Sequence, residues 1–93
     1  MGGRSGFASL LRETEAYLEL NRRIREAIPE SGRSEIGIAR IVDGCVVIAA
    51  ASPARATQAR LAAAQILEAA RRQWPGALDS TRIVVTPGIR FDP

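Results

Sequence analysis

The 93-residue sequence predicts an α+β domain in the order α-β-β-α-β: a three-stranded mixed sheet with two helices on one face. Three observations predict it. Asp43-Gly44 separates two apolar runs, and a tight hairpin turn needs the positive φ that such a pair adopts. Ser52-Pro53 opens a long stretch free of helix breakers, which Pro75-Gly76 closes. A last β-branched run, Arg82–Thr86, follows that helix, so the crossover should lay it parallel to a neighbouring strand.

The elements follow in order. Residues 1–6 are small and polar and are expected to fray. A first helix should begin between Ser5 and Ser9 and end at Ile28, where Pro29 stops it. Phe7, Leu10, Leu11, Tyr17, Leu18, Ile24, Ala27 and Ile28 recur at helical spacing on its core side. Outside that stripe, Glu19 with Arg23 and Arg22 with Glu26 are spaced to pair at i,i+4. Pro29–Ser34 is a loop of turn formers.

Strand one is expected at Glu35–Val42 and strand two at Cys45–Ala51. A regular two-residue hairpin puts Ala39, Ile41, Val46 and Ile48 on one side. Ile38, Val42, Cys45 and Val47 then share the other side with Arg40. Both faces are apolar, so one should meet the helices and the other could meet a partner through Ile38 and Val47. The second helix should pack through Ala56, Ala59, Ala63, Ile66, Leu67, Ala70 and Trp74, which leaves Leu61 nearly opposite as a candidate contact. The whole of 1–93 reads as one domain, without repeats.

Composition narrows the function. The sequence contains no histidine and a single cysteine, so no nucleophile–base pair or metal cluster can be assembled from it. An enzyme is not expected, nor is a metal or cofactor. Cys45 cannot form an internal disulfide and reads as a small strand residue. The longest apolar run is too short to span a bilayer, and the N-terminus lacks a signal-peptide core, so the chain reads as cytosolic.

All thirteen basic residues are arginine, a bias that a GC-rich coding sequence would also produce. Their placement says more. The segment Ser52–Trp74 holds Arg55, Arg60, Arg71 and Arg72 against Glu68 alone, so the whole net charge of +3 falls on the second helix. These four are the candidate phosphate contacts.

No Gly-rich phosphate loop of either common pattern is present. The element order with a basic second helix suggests a KH-like arrangement. The G-x-x-G loop with which such domains clamp a nucleic-acid backbone is missing, and aromatic residues for base stacking are scarce. Phosphate contact without base readout is what remains.

Residues Leu20 to Ile89 resemble the DciA family of bacterial replicative-helicase loaders. The likeness lies in Leu20, Ile24 and Ile28-Pro29, in the hairpin around Asp43-Gly44, and in Ser52-Pro53-Ala54 leading to Ala56-Thr57-Gln58-Ala59-Arg60. Ile66-Leu67 and the strand Ile83–Pro87 complete it. The resemblance implies a KH-like fold, association with the DnaB-type helicase, affinity for DNA and no enzymatic activity; the leading reading is a helicase-loading accessory protein that binds the helicase and, weakly, single-stranded DNA. Arg55 stands where family members often carry tryptophan, and Ala59 where they often carry leucine. These 93 residues also lack the extended basic segment of many members, so DNA binding is expected to be weak. Two other readings stay open: a KH-like RNA-binding ribosome-assembly factor, and a protein-binding module that contacts a partner or a second copy of itself, as a homodimer, through the apolar sheet face.

Overall fold

The computed structural model describes residues 14–91. The expected start of the first helix and the expected frayed residues 1–6 lie outside that range. Helix α1 covers 14–23 and then tightens into a 3-10 turn at Arg25–Ala27. Ile28 is already extended, with ψ 132°, as the residue before a proline prefers. A second 3-10 turn, Glu30–Gly32, shapes the following loop. The early end of α1 also redirects its charges. Arg22 pairs with Glu19 (2.7 Å) instead of Glu26, because the i,i+4 relation does not survive the change of helix type. Arg23 takes the other Glu19 oxygen at 2.9 Å, as expected.

Strand β1 (Ile36–Val42) turns through Asp43 (φ 49°) and Gly44 (φ 78°) into β2 (Cys45–Ala50), the double positive φ of a type I′ turn. Helix α2 follows at Pro53–Gln73. Ser52 Oγ accepts from the Arg55 amide at 3.2 Å, and Pro53 stands in the first turn, where a missing N–H costs nothing. Strand β3 (Ser80–Val85) runs parallel to β2, in the order β1-β2-β3.

One core fills the space between the helices and a single face of the sheet. Leu20, Ile24 and Ile28 enter from the α1 side, and Ala56, Ala59, Ala62, Ile66 and Ala70 from α2. They meet Ile36, Ile38, Val46, Ile48 and Ala50 of the sheet. Four of the five α2 residues are alanines, which lets the helix lie close to the strands. Ala62 is buried where Ala63 was expected, and Ala63, Leu67 and Trp74 border the core.

The hairpin register departs from the regular expectation at one residue. Val42↔Cys45, Ile41↔Val46 and Arg40↔Val47 pair as a two-residue turn requires, but the next pair is Ile38↔Ile48. Ala39 is the extra residue of a β-bulge, and one inserted residue reverses which side every earlier side chain faces. Ile38 therefore belongs to the core at 1% exposure, and Ala39 is exposed. This corrects the expectation that Ile38 lines a partner surface.

The bulge also sets the free edge of β1. Ile38 and Ile41 both turn backbone groups outward, and α1 meets them with Asn21 and Tyr17, one helical turn apart. Tyr17 in turn stacks on Trp74, with ring centroids 5.5 Å apart and planes 10° from parallel. After β3 the chain crosses to β1, where the Phe91 amide donates to the Ser34 carbonyl (2.8 Å) and its ring lies against Gly37.

Candidate nucleic-acid and partner interface

The four arginines of α2 do not form one patch. Arg55 is half-buried in the first turn, donating to Gln58 Oε1 (2.9 Å) and to Glu35 Oε1 (3.3 Å). Arg71 donates through Nε to the Leu78 carbonyl (2.7 Å) and through Nη1 to Glu68 (2.6 Å), tying the end of α2 to the loop before β3. Two of the four charges are thus committed within the domain. Arg60 and Arg72 are exposed and have no ion pair among the described residues.

Eleven residues make about three helical turns, so positions eleven apart share a flank. Arg60 lies on the Arg71 flank, toward β3. Leu61 lies on the Arg72 flank, and at 84% exposure it is the most exposed large apolar side chain of those described. Between this flank and α1 runs an open groove of about 650 Å³. Ile24, Ala27, Ala64 and Ala69 give it apolar surface, Arg23 and Arg72 cations, Glu26 and Glu68 carboxylates, and Arg23 reaches across to Gln73 Oε1 at 3.3 Å. Glu19, at the α1 side, is held below the usual carboxylate range by its hydrogen bond from Arg23 and by the charges of Arg22 and Arg23.

The other sheet face differs from the expectation in its availability. Val47 does point away from the helices, yet it is only 8% exposed. The pairing explains this: Arg40 of β1 and Arg82 of β3 are both cross-strand neighbours of Val47. Two long arginine stems on either side can cover an apolar side chain while their charges stay in water. Nothing in the sequence marks Arg82, because its position beside Val47 depends on the β2–β3 register. Val42, at the rim of this face, is exposed. Cys45 is half-buried.

Among the described residues no group of histidine, cysteine, aspartate and glutamate could hold a metal ion, and no helix is long and apolar enough to cross a membrane. The arrangement offers surfaces for binding: an open groove of mixed polarity between α1 and α2, the exposed Leu61 on the same flank of α2, and separated arginines.

No curated protein matches the sequence. The family model described as "Dna[CI] antecedent, DciA" matches residues 3–85, nearly the full length. A match of that extent, over both helices, the hairpin and the final strand, shows that the chain belongs to the DciA family.

Proposed function

We propose that this domain contacts the DnaB-type replicative helicase through Leu61 and the α1–α2 groove, and that Arg60 and Arg72 hold single-stranded DNA weakly and without base readout. Family membership carries the coarser statement: DciA proteins take part in loading that helicase during DNA replication, as accessory proteins and not as catalysts.

The observation that carries the finer one is the outward flank of α2. There an 84% exposed leucine shares a flank with the α1–α2 groove, whose apolar part is Ile24, Ala27, Ala64 and Ala69, and Arg72 stands about three turns further on. An isolated exposed leucine means little; one on the flank of a groove adds apolar area to a docking surface. The alternative docking surface on the opposite sheet face is weakened, since Ile38 is in the core and Val47 is covered. For DNA, the supporting feature is two cations free to meet phosphates, with few aromatic rings to stack bases.

A helicase pull-down and a salt-series anisotropy titration with a labelled oligonucleotide test the two halves separately. Leu61→Asp should abolish helicase capture and leave DNA binding intact. Arg60→Glu with Arg72→Glu should abolish DNA binding, and Arg60→Glu alone, which lies outside the groove, should leave helicase capture intact. Wild-type affinity should fall with salt at a slope of about −0.7 per neutralised phosphate. Full helicase capture by Leu61→Asp would remove the α2 flank from the interface. Undiminished DNA binding by the double variant would return both arginines to ordinary surface charge.

A further inference from the structure

The two edges of the sheet are finished differently. On β1 the outward groups of Ile38 are met by Asn21 and the Ile41 amide by the Tyr17 hydroxyl, and just before the strand the Ser34 carbonyl accepts from the Phe91 amide. On β3 the Ser80 amide donates to Gly44 and the Thr86 amide to Ala50, with an unbroken parallel register between them. Even-numbered residues therefore turn toward β2, and Thr81, Ile83 and Val85 turn their N–H and C=O groups to the open side. None of these groups has a partner among the described residues. Val85, 44% exposed, adds apolar surface at the same edge.

Charge surrounds this edge on both faces. Arg60 is on the β3 flank of α2, about 10 Å from the helix start at Pro53. Three strand residues also span about 10 Å, so counting back from Val85 at the end of β3 places Arg60 about level with Arg82. On the opposite face Arg82 would be the cross-strand neighbour of any added strand. Neither arginine has an ion pair among the described residues, and Asp79, the nearest acid in sequence, is turned toward Gly44 of the hairpin.

We propose that the free edge of β3 accepts an extended acidic segment of a partner protein as a fourth strand, its backbone pairing with Thr81, Ile83 and Val85 and its carboxylates meeting Arg82 and Arg60. Strand addition of this kind draws affinity from main-chain hydrogen bonds and specificity from side chains on alternate faces. A second copy of this chain fits poorly, because a two-fold axis near Ile83 would bring its Arg60 toward the first. A nucleic-acid backbone fits poorly as well. Phosphates accept hydrogen bonds and do not donate them, so the outward carbonyls would stay unpaired. This surface is distinct from the groove and Leu61 and does not depend on them; it shares Arg60 with the proposed DNA contact, so Arg82 is the residue that tests it alone.

The test uses the full chain and a fluorescein-labelled peptide of alternating valine and glutamate, with a lysine-for-glutamate counterpart. Anisotropy reads binding, and NMR-resolved hydrogen exchange reads the edge amides. The glutamate peptide should bind and protect the Thr81, Ile83 and Val85 amides, and the lysine peptide should not. Arg82→Glu should lose the peptide. Val85→Pro should lose it too while still folding, since the lost N–H points away from β2. Should that variant unfold, Arg82→Glu, which leaves the backbone intact, still decides the matter. Equal binding of both peptides would overturn the proposal, as would failure of the glutamate peptide to protect the edge amides. So would protection that grows with protein concentration alone or appears with a single-stranded oligonucleotide. Helicase capture should be unchanged by Arg82→Glu, which separates this result from that of the Leu61 surface.

Discussion

The carboxamide of Asn21 pairs with the backbone of Ile38 in both directions: Nδ2 donates to the Ile38 carbonyl at 2.8 Å, and the Ile38 amide donates to Oδ1 at 2.7 Å. One side chain thus does for the β1 edge what a neighbouring strand would do. Asn21→Ala leaves two part-buried backbone groups unsatisfied and should lower stability by about 1–3 kcal/mol. Asn21→Asp keeps the acceptor and loses the donor, so it should fall between the two. Urea denaturation of the three proteins measures this; an unchanged midpoint for Asn21→Ala would refute the seal.

Gly37 and Phe91 should be energetically coupled. A Cβ built on Gly37 would sit 2.6 Å from Phe91 Cδ1, too close for the ring to remain where it is. Gly37→Ala should therefore destabilise wild type and cost much less in a Phe91→Ala background. A double-mutant cycle should give a coupling of about 0.5–3 kcal/mol. Additive effects would mean that the tail does not rest on β1 in solution.

Helix α2 gives two graded expectations. Ser52→Ala removes the side-chain cap and should cost about 0.5–2 kcal/mol. Ile66→Ala empties a fully buried site facing the sheet and should cost about 2–5 kcal/mol. Thermal unfolding followed through Trp74, the single tryptophan, reports both. A larger loss at Ser52 than at Ile66 would contradict the core described above.

Arg55 and Arg60 should separate by readout. Both partners of the Arg55–Glu35 pair are less than a third exposed, so Arg55→Ala should cost up to about 1 kcal/mol. Arg60→Ala, on open surface, should stay within about 0.5 kcal/mol of wild type. In the oligonucleotide titration the order should reverse, with Arg60→Ala the weaker binder. A stability loss at Arg60 equal to that at Arg55 would show that Arg60 has a structural partner.

What the sequence determined by itself is local. Asp43-Gly44 specifies its turn through the positive φ of two adjacent residues, Ser52-Pro53 starts α2 through one hydroxyl and one ring, and Pro29 and Pro75 end the 3-10 turn after α1 and helix α2 through the residue before them. Alternation and helical spacing were enough to give the element order, the mixed sheet and most of the α2 core. Tertiary structure decided whatever depends on a distant partner. Nothing in Ile38-Ala39-Arg40 announces a bulge. It exists because Ile36 and Ile38 both gain by facing the helices, and because Asn21 and Tyr17 satisfy the edge groups that the shift leaves outward. The arginines of α2 carry equal charge in the sequence. Glu35 and the Leu78 carbonyl, brought close only by the fold, engage Arg55 and Arg71 and leave Arg60 and Arg72 to solvent. The β3 edge shows the same division. Periodicity predicts the strand, but whether its outer side is covered depends on the remainder of the chain, and among the described residues the covering groups were placed on β1.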